Sequence, residues 1–100
     1  MSAARSTASR KDQKRLEAEH RQARSRVRKE QQQTVHRLEK EIQHLEQQQA
    51  ELTAELEKPE TYEKSGRAME INRELVEVQS RLAELNPEWE QQATRLAALE

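Results

Sequence analysis

The sequence predicts an all-α protein: an antiparallel two-helix coiled-coil hairpin with a basic helical overhang at its N-terminal end. Three observations carry this expectation. The 100 residues are 32% hydrophobic and 37% charged, with one Trp, one Tyr and no Phe, where an ordinary domain has about 45–50% apolar and about 25% charged residues. Turn formers are scarce, with one Gly and two Pro, and Gly66 lies close to Pro59. On either side of that segment the apolar residues recur in alternating steps of three and four, the spacing of a coiled-coil seam. Such a chain cannot build a sheet, a nucleotide-binding α/β domain or an enclosed pocket. No catalytic residue and no cofactor is expected.

Residues 1–9 are rich in Ser, Ala and Arg and read as a disordered tail. The hairpin domain is expected over 10–100. Its first helix, 10–57, is dense in Glu, Gln, Lys, Arg, Leu and Ala and has no Gly or Pro, a composition that favours helix. The tip, 58–66, runs Lys58-Pro59-Glu60-Thr61-Tyr62-Glu63-Lys64-Ser65-Gly66 and is the one clear turn signal. Tyr62 is expected to cover it against Leu56 or Ile71. Helical composition resumes over 67–100. Pro87 falls inside this second helix and is expected to kink or restart it, with Asn86 as a new cap.

The first seam is Val35, Leu38, Ile42, Leu45, Gln49, Leu52 and Leu56; the second is Ile71, Leu75, Val78, Leu82, Leu85, Trp89, Gln92, Leu96 and Leu99. Folded back antiparallel, Leu56 meets Ile71, Leu52 meets Leu75, Gln49 meets Val78, Leu45 meets Leu82, Ile42 meets Leu85, Leu38 meets Trp89 and Val35 meets Gln92. Every seam residue of the first helix meets a seam residue of the second, and the short tip selects this register. Gln31 then faces Leu96 and Arg28 faces Leu99, so residues before Arg28 have no partner. Trp89 is expected in the core. Glu41 falls near Glu88 and Glu55 near Glu74, so flanking charges are not expected to hold the seam. Burial of Leu, Ile and Trp carries it, at about 1.5–3 kcal/mol per buried side chain.

Net charge splits sharply along the chain. Residues 1–29 hold ten Lys/Arg and three Asp/Glu, a net +7, while residues 30–100 hold eight and sixteen, a net −8. A basic arm joined to an acidic body points to a polyanion partner at one end. On a helix Arg10, Lys14, Arg21, Arg24 and Arg28 form a stripe, which Lys11, Arg15, Arg26 and Lys29 widen. These nine residues are the candidate nucleic-acid-binding set, acting on phosphates with a steep dependence on salt. The arm has no aromatic residue, so neither base stacking nor sequence-specific reading is expected there. With no cysteine there is no disulfide or thiolate metal site. His20, His36 and His44 include no pair four residues apart, and no metal is expected.

Several of these segments together resemble a known family. The basic entry Arg10-Lys11-Asp12-Gln13-Lys14-Arg15-Leu16-Glu17-Ala18-Glu19 is followed by Leu38-Glu39-Lys40-Glu41-Ile42 and Ala50-Glu51-Leu52, by Pro59-Glu60-Thr61-Tyr62 at the tip, and by Glu88-Trp89-Glu90 in the returning helix. In that order, over about residues 10–100, they are similar to the C-terminal coiled-coil domain of ABC-F proteins, Uup-type members included. The resemblance implies an antiparallel coiled coil that follows a second ATP-binding cassette and associates with DNA or ribosomal RNA. Any ATPase activity would belong to cassettes in a parent protein, because a phosphate-binding loop of the G-x-x-x-x-G-K-[ST] type needs two glycines. Two departures stand out. Lys58 occupies a position where the family usually has a helix-capping Asp, which predicts a looser tip, and Pro87 interrupts the second helix.

The alternative reading is a structural coiled coil that homodimerises or binds another protein through Leu16, Val27, Leu96 and Leu99; a monomer is the expectation. A membrane partner is not expected, because the arm lacks the large apolar residues that insertion requires. No secretory signal is apparent, and a cytoplasmic location is expected.

Overall fold

A computed structural model describes the backbone from Ser2 to Glu100 and the side chains from Ser9 onward. It contains α1 (Ser2–Leu56), α2 (Pro59–Glu63) and α3 (Arg67–Leu99), with α1 and α3 packed along each other. The molecule is a rod with extents of 92 × 17 × 16 Å. Cross-helix hydrogen bonds join Gln31 to Gln92, Glu39 to Trp89, Glu41 to Arg81 and Glu55 to Arg67. Residue number rises along α1 as it falls along α3, so the pair is antiparallel. Helix α1 begins ahead of Arg10, and backbone 2–9 is helical where the sequence reading has a tail; Met1 lies outside the described residues. No Gly or Pro interrupts 2–10, and adding a turn to an existing helix requires no new nucleus.

The core is the seam. Ile71 and Leu85 are fully buried, and Val35, Leu38, Val78 and Leu82 nearly so. Ile42, Leu45, Leu52, Leu56, Leu75 and Leu96 are half-buried, because a seam between two helices is open along both sides. Trp89 is also half-buried rather than core. Its indole Nε1 donates to Glu39 Oε1 at 3.3 Å, which holds the polar edge of a ring too large for this seam at the surface. Pro87 sits inside an uninterrupted α3, with no restart at Asn86. Proline leaves the Ala83 carbonyl without its usual donor, and both residues are exposed, so water can take its place.

The tip is tied from an unexpected direction. Lys58 starts α2 with no side-chain cap. Instead, α2 caps the end of α1: the Thr61 hydroxyl donates to the Glu55 carbonyl at 2.5 Å and the Tyr62 hydroxyl to the Leu56 carbonyl at 2.6 Å. Both carbonyls belong to the last turn of α1, beyond the reach of its own i+4 donors; the Glu55 carbonyl also accepts from the Lys58 N–H of the turn, at 3.2 Å. Thr61 is buried, and Tyr62 keeps its ring exposed, so Tyr62 acts through its hydroxyl rather than as an apolar cover. Gly66 then takes φ 78° to start α3, a left-handed conformation that glycine adopts without strain.

Flanking charges do bridge the helices, contrary to the sequence reading. Arg67 makes two hydrogen bonds of 2.8 Å to the Glu55 carboxylate, through Nε and an Nη. Arg81 reaches Glu41 Oε1 at 3.1 and 3.0 Å. Each arginine also holds a glutamate three residues on, Glu70 and Glu84, at 3.2 and 3.1 Å. Glu55 shares a groove with both Arg67 and Glu74. Opposite charge and the longer arginine side chain decide which neighbour it bonds. At the open end Gln31 Nε2 donates to the Gln92 carbonyl and to its Oε1, at 2.9 and 2.7 Å, so a seam position that lacks an apolar residue is still paired.

Leu85→Ala should lower unfolding free energy by about 2–5 kcal/mol, whereas Val76→Ala, on an exposed face, should stay within about 0.5 kcal/mol of the parent; urea titrations compare them. Hydrogen bonds from Arg67 hold the Glu55 carboxyl below its ordinary value of 4.5. The folded state therefore favours the carboxylate. The stability it contributes is complete above about pH 5 and is lost as pH falls through the depressed folded-state value. Glu55→Gln should be less stable than the parent at pH 7, and the difference should shrink between pH 5 and pH 3.

Candidate nucleic-acid interface

The arm is a direct continuation of α1 past the end of α3. Arg10, Lys11, Lys14, Arg15, Arg21, Arg24, Arg26, Arg28 and Lys29 all lie on this one helix and all are exposed. Among the described residues the only ion pair within the set is Arg15 to Asp12, at 3.3 Å. From Arg10 to Lys29 the helix rises about 28 Å.

Helical geometry sorts the nine cations into two rows. At about 100° per residue, Arg10, Lys14, Arg21, Arg24 and Arg28 share an arc of about 80°, with Glu17 as the one acid among them. Lys11, Arg15, Arg26 and Lys29 form a second row centred about 120° away. Between the rows lie Ala18 and Ser25, the only half-buried positions from 9 to 30. Ser25 shares one groove with Arg26 and Lys29 and another, which runs on to Ala98 and Leu99 of α3, with Arg21, Arg24 and Arg28. Leu16 and Val27 occupy the opposite side and are about half exposed.

The first row has a further property that the sequence reading missed. Counting back from Val35 in steps of four and three gives Gln31, Arg28, Arg24, Arg21, Glu17, Lys14 and Arg10. These are the seam positions of α1, continued beyond its partner. The change from apolar to basic falls where α3 ends: Arg24, Val27 and Arg28 line a groove with Ala98 and Leu99. The signal was present in the spacing, but it required carrying the heptad frame upstream of the apolar residues.

His20, His36 and His44 are exposed, and among the described residues no group of three His, Cys, Asp or Glu side chains could hold a metal ion. No described helix is long and apolar enough to cross a membrane. The family model of the ABC transporter C-terminal domain matches residues 26–93. The chain belongs to this family. The match agrees with the resemblance drawn from the residues, and it makes the chain an accessory domain of ABC proteins rather than one of their ATPase domains. No curated protein and no solved structure matches the chain significantly. In this ABC transporter C-terminal domain the matched stretch covers the hairpin, from the last turns of the arm to just past Trp89. Of the nine cations only Arg26, Arg28 and Lys29 fall within it; the other six lie upstream.

An arm without a packing partner should open readily. Amide hydrogens of residues 12–25 should exchange with solvent at least about a hundredfold faster than those of Ile71–Leu85, as read by hydrogen–deuterium exchange on the free domain. Equal protection in the two segments would show that the arm is packed in solution.

Proposed function

We propose that this chain is a non-catalytic, cytoplasmic accessory domain that binds nucleic acid, either DNA or ribosomal RNA, through its basic arm, on behalf of ATPase cassettes in a parent protein. One observation carries the reading: nine exposed cations along about 28 Å of helix, of which Arg15 alone has an acidic partner among the described residues. A solvated helix that served only to pack would gain nothing from concentrating like charges, which repel along a helix face. Phosphates spaced along a nucleic acid neutralise such a row and release their counterions. The acidic hairpin lies to one end of the arm, and among the described residues none of its carboxylates pairs with an arm cation.

Fluorescence anisotropy with labelled duplex DNA and a ribosomal RNA fragment tests this. Affinity should fall by at least about a hundredfold between 50 and 200 mM salt. Combined Lys14→Glu, Arg15→Glu, Arg21→Glu and Arg24→Glu should abolish binding while leaving the thermal unfolding of the hairpin unchanged. Affinity insensitive to both changes overturns the reading.

The competing reading, self-association, has its own support in Leu16, Val27 and Leu99, which are 51%, 49% and 43% exposed. Leu16 and Val27 lie eleven residues apart on the arm, with only His20 and Ala23 along the stripe between them, too little apolar surface to hold two copies together. The domain is therefore expected to sediment as a monomer.

A further inference from the structure

The two rows of cations and the small residues between them say more than that the arm is basic. A helix resting on the outside of a nucleic acid meets phosphates on one face, and one row would serve it. A helix lying inside a groove meets phosphates on both flanks and presents its middle to the floor. The arm has the second arrangement. Its rows are about 120° apart, and the strip between them holds Ala18 and Ser25, each half-buried beneath longer neighbours. On the far side Ala23, equally small, is exposed. Small side chains alone therefore do not make the recess: the longer arm residues one turn away flank Ala18, and Ser25 also shares a groove with Ala98 and Leu99 of α3.

Dimensions select the groove. A helix with its side chains is about 10–12 Å across, and the major groove of B-form DNA is about 12 Å wide. The major groove of an A-form duplex is too deep and narrow to admit it. A single strand is recognised chiefly by aromatic stacking, and the arm has no aromatic residue. We infer that the arm lies as a helix in the major groove of B-form duplex DNA, with one cation row facing each phosphate wall and Ala18 and Ser25 toward the floor. This rests on the reading that the arm binds nucleic acid. Leu99 lines a groove with Arg24 and Arg28, so a duplex that engages these two cations lies beside α3. A floor of Ala and Ser approaches the base edges without a long side chain to discriminate among them, so entry is not tied to one sequence.

The test fills the groove without touching the phosphates. A duplex carrying glucosylated 5-hydroxymethylcytosine has bulky adducts in the major groove, and its backbone charge is unaltered. The intact domain should bind it at least about tenfold more weakly than the unmodified duplex of the same sequence, while prior saturation of the minor groove with distamycin should change affinity by less than about twofold. Double-stranded RNA of equal length should also bind at least about tenfold more weakly. Ala18→Trp should cost about tenfold in affinity for plain duplex DNA, and Leu16→Trp, on the opposite side, less than about twofold; both should keep the helical circular dichroism of the parent. Equal affinity for the glucosylated duplex, or for double-stranded RNA, overturns groove entry and leaves phosphate binding by the arm standing. Failure to bind any of these nucleic acids overturns both.

Discussion

Ile71 and Leu85 lose all their exposed surface only because α1 folds back along α3. Neither helix can hide an apolar stripe by itself, and helices in water gain most of their stability from such packing. The seam sets everything else: where the tip must turn, which charges come into range across the flanks, and which part of α1 is left without a partner. Because the seam joins only two helices, it is shielded incompletely. Most of its leucines stay half-buried and Trp89 cannot be enclosed. The thinness of the core makes the interactions at its edges consequential.

Those edges supply what apolar packing lacks. Leucines repeated every three and four residues fit one another in registers seven residues apart, so burial alone does not select one. At seven-residue steps α3 carries Arg67, Glu74, Arg81, Glu88 and Arg95, and α1 answers with Glu55 and Glu41. A slip of α3 by one heptad would set Glu74 and Glu88 where Arg67 and Arg81 now bond, exchanging two attractions for two repulsions. Exposed ion pairs contribute little energy, but discriminating among registers needs only a difference. The tip acts in the same sense, since Thr61 and Tyr62 bind carbonyls of the last turn of α1, which have no donor further along that helix.

Much of this was legible in the residues. The alternation of three and four places the seams, and Pro59 and Gly66 bracket the turn. The family resemblance rested on short segments in a fixed order. The nine cations stood out because charge clustering is a property of the linear chain. What escaped the sequence depends on offsets between helices. Glu55 lies near both Arg67 and Glu74, and only the folded arrangement says which it bonds. The hydroxyl bonds at the tip depend on the path of a five-residue helix that the composition of 58–66 does not specify. Pro87 predicts a kink or restart because proline removes a donor; a long helix held along its other face carries the gap.

One heptad frame runs through α1 from Arg10 to Leu56, and its occupants change character at a single point. Alongside α3 the frame holds Val, Leu and Ile, with Gln31 and Gln49 among them; from Arg28 back to Arg10 it holds Arg and Lys, with Glu17 as the one exception. A seam that stayed apolar beyond its partner would leave an exposed stripe free to pair with a second copy or with any other apolar surface. Charging those positions removes that outcome and keeps the helix intact, since Arg and Lys favour helix nearly as well as Leu. The same substitution turns the unpaired stretch from a liability into a row of cations at fixed spacing. Within the described residues, one continuous helix thus has a part that packs on α3 and a part that carries its charge outward.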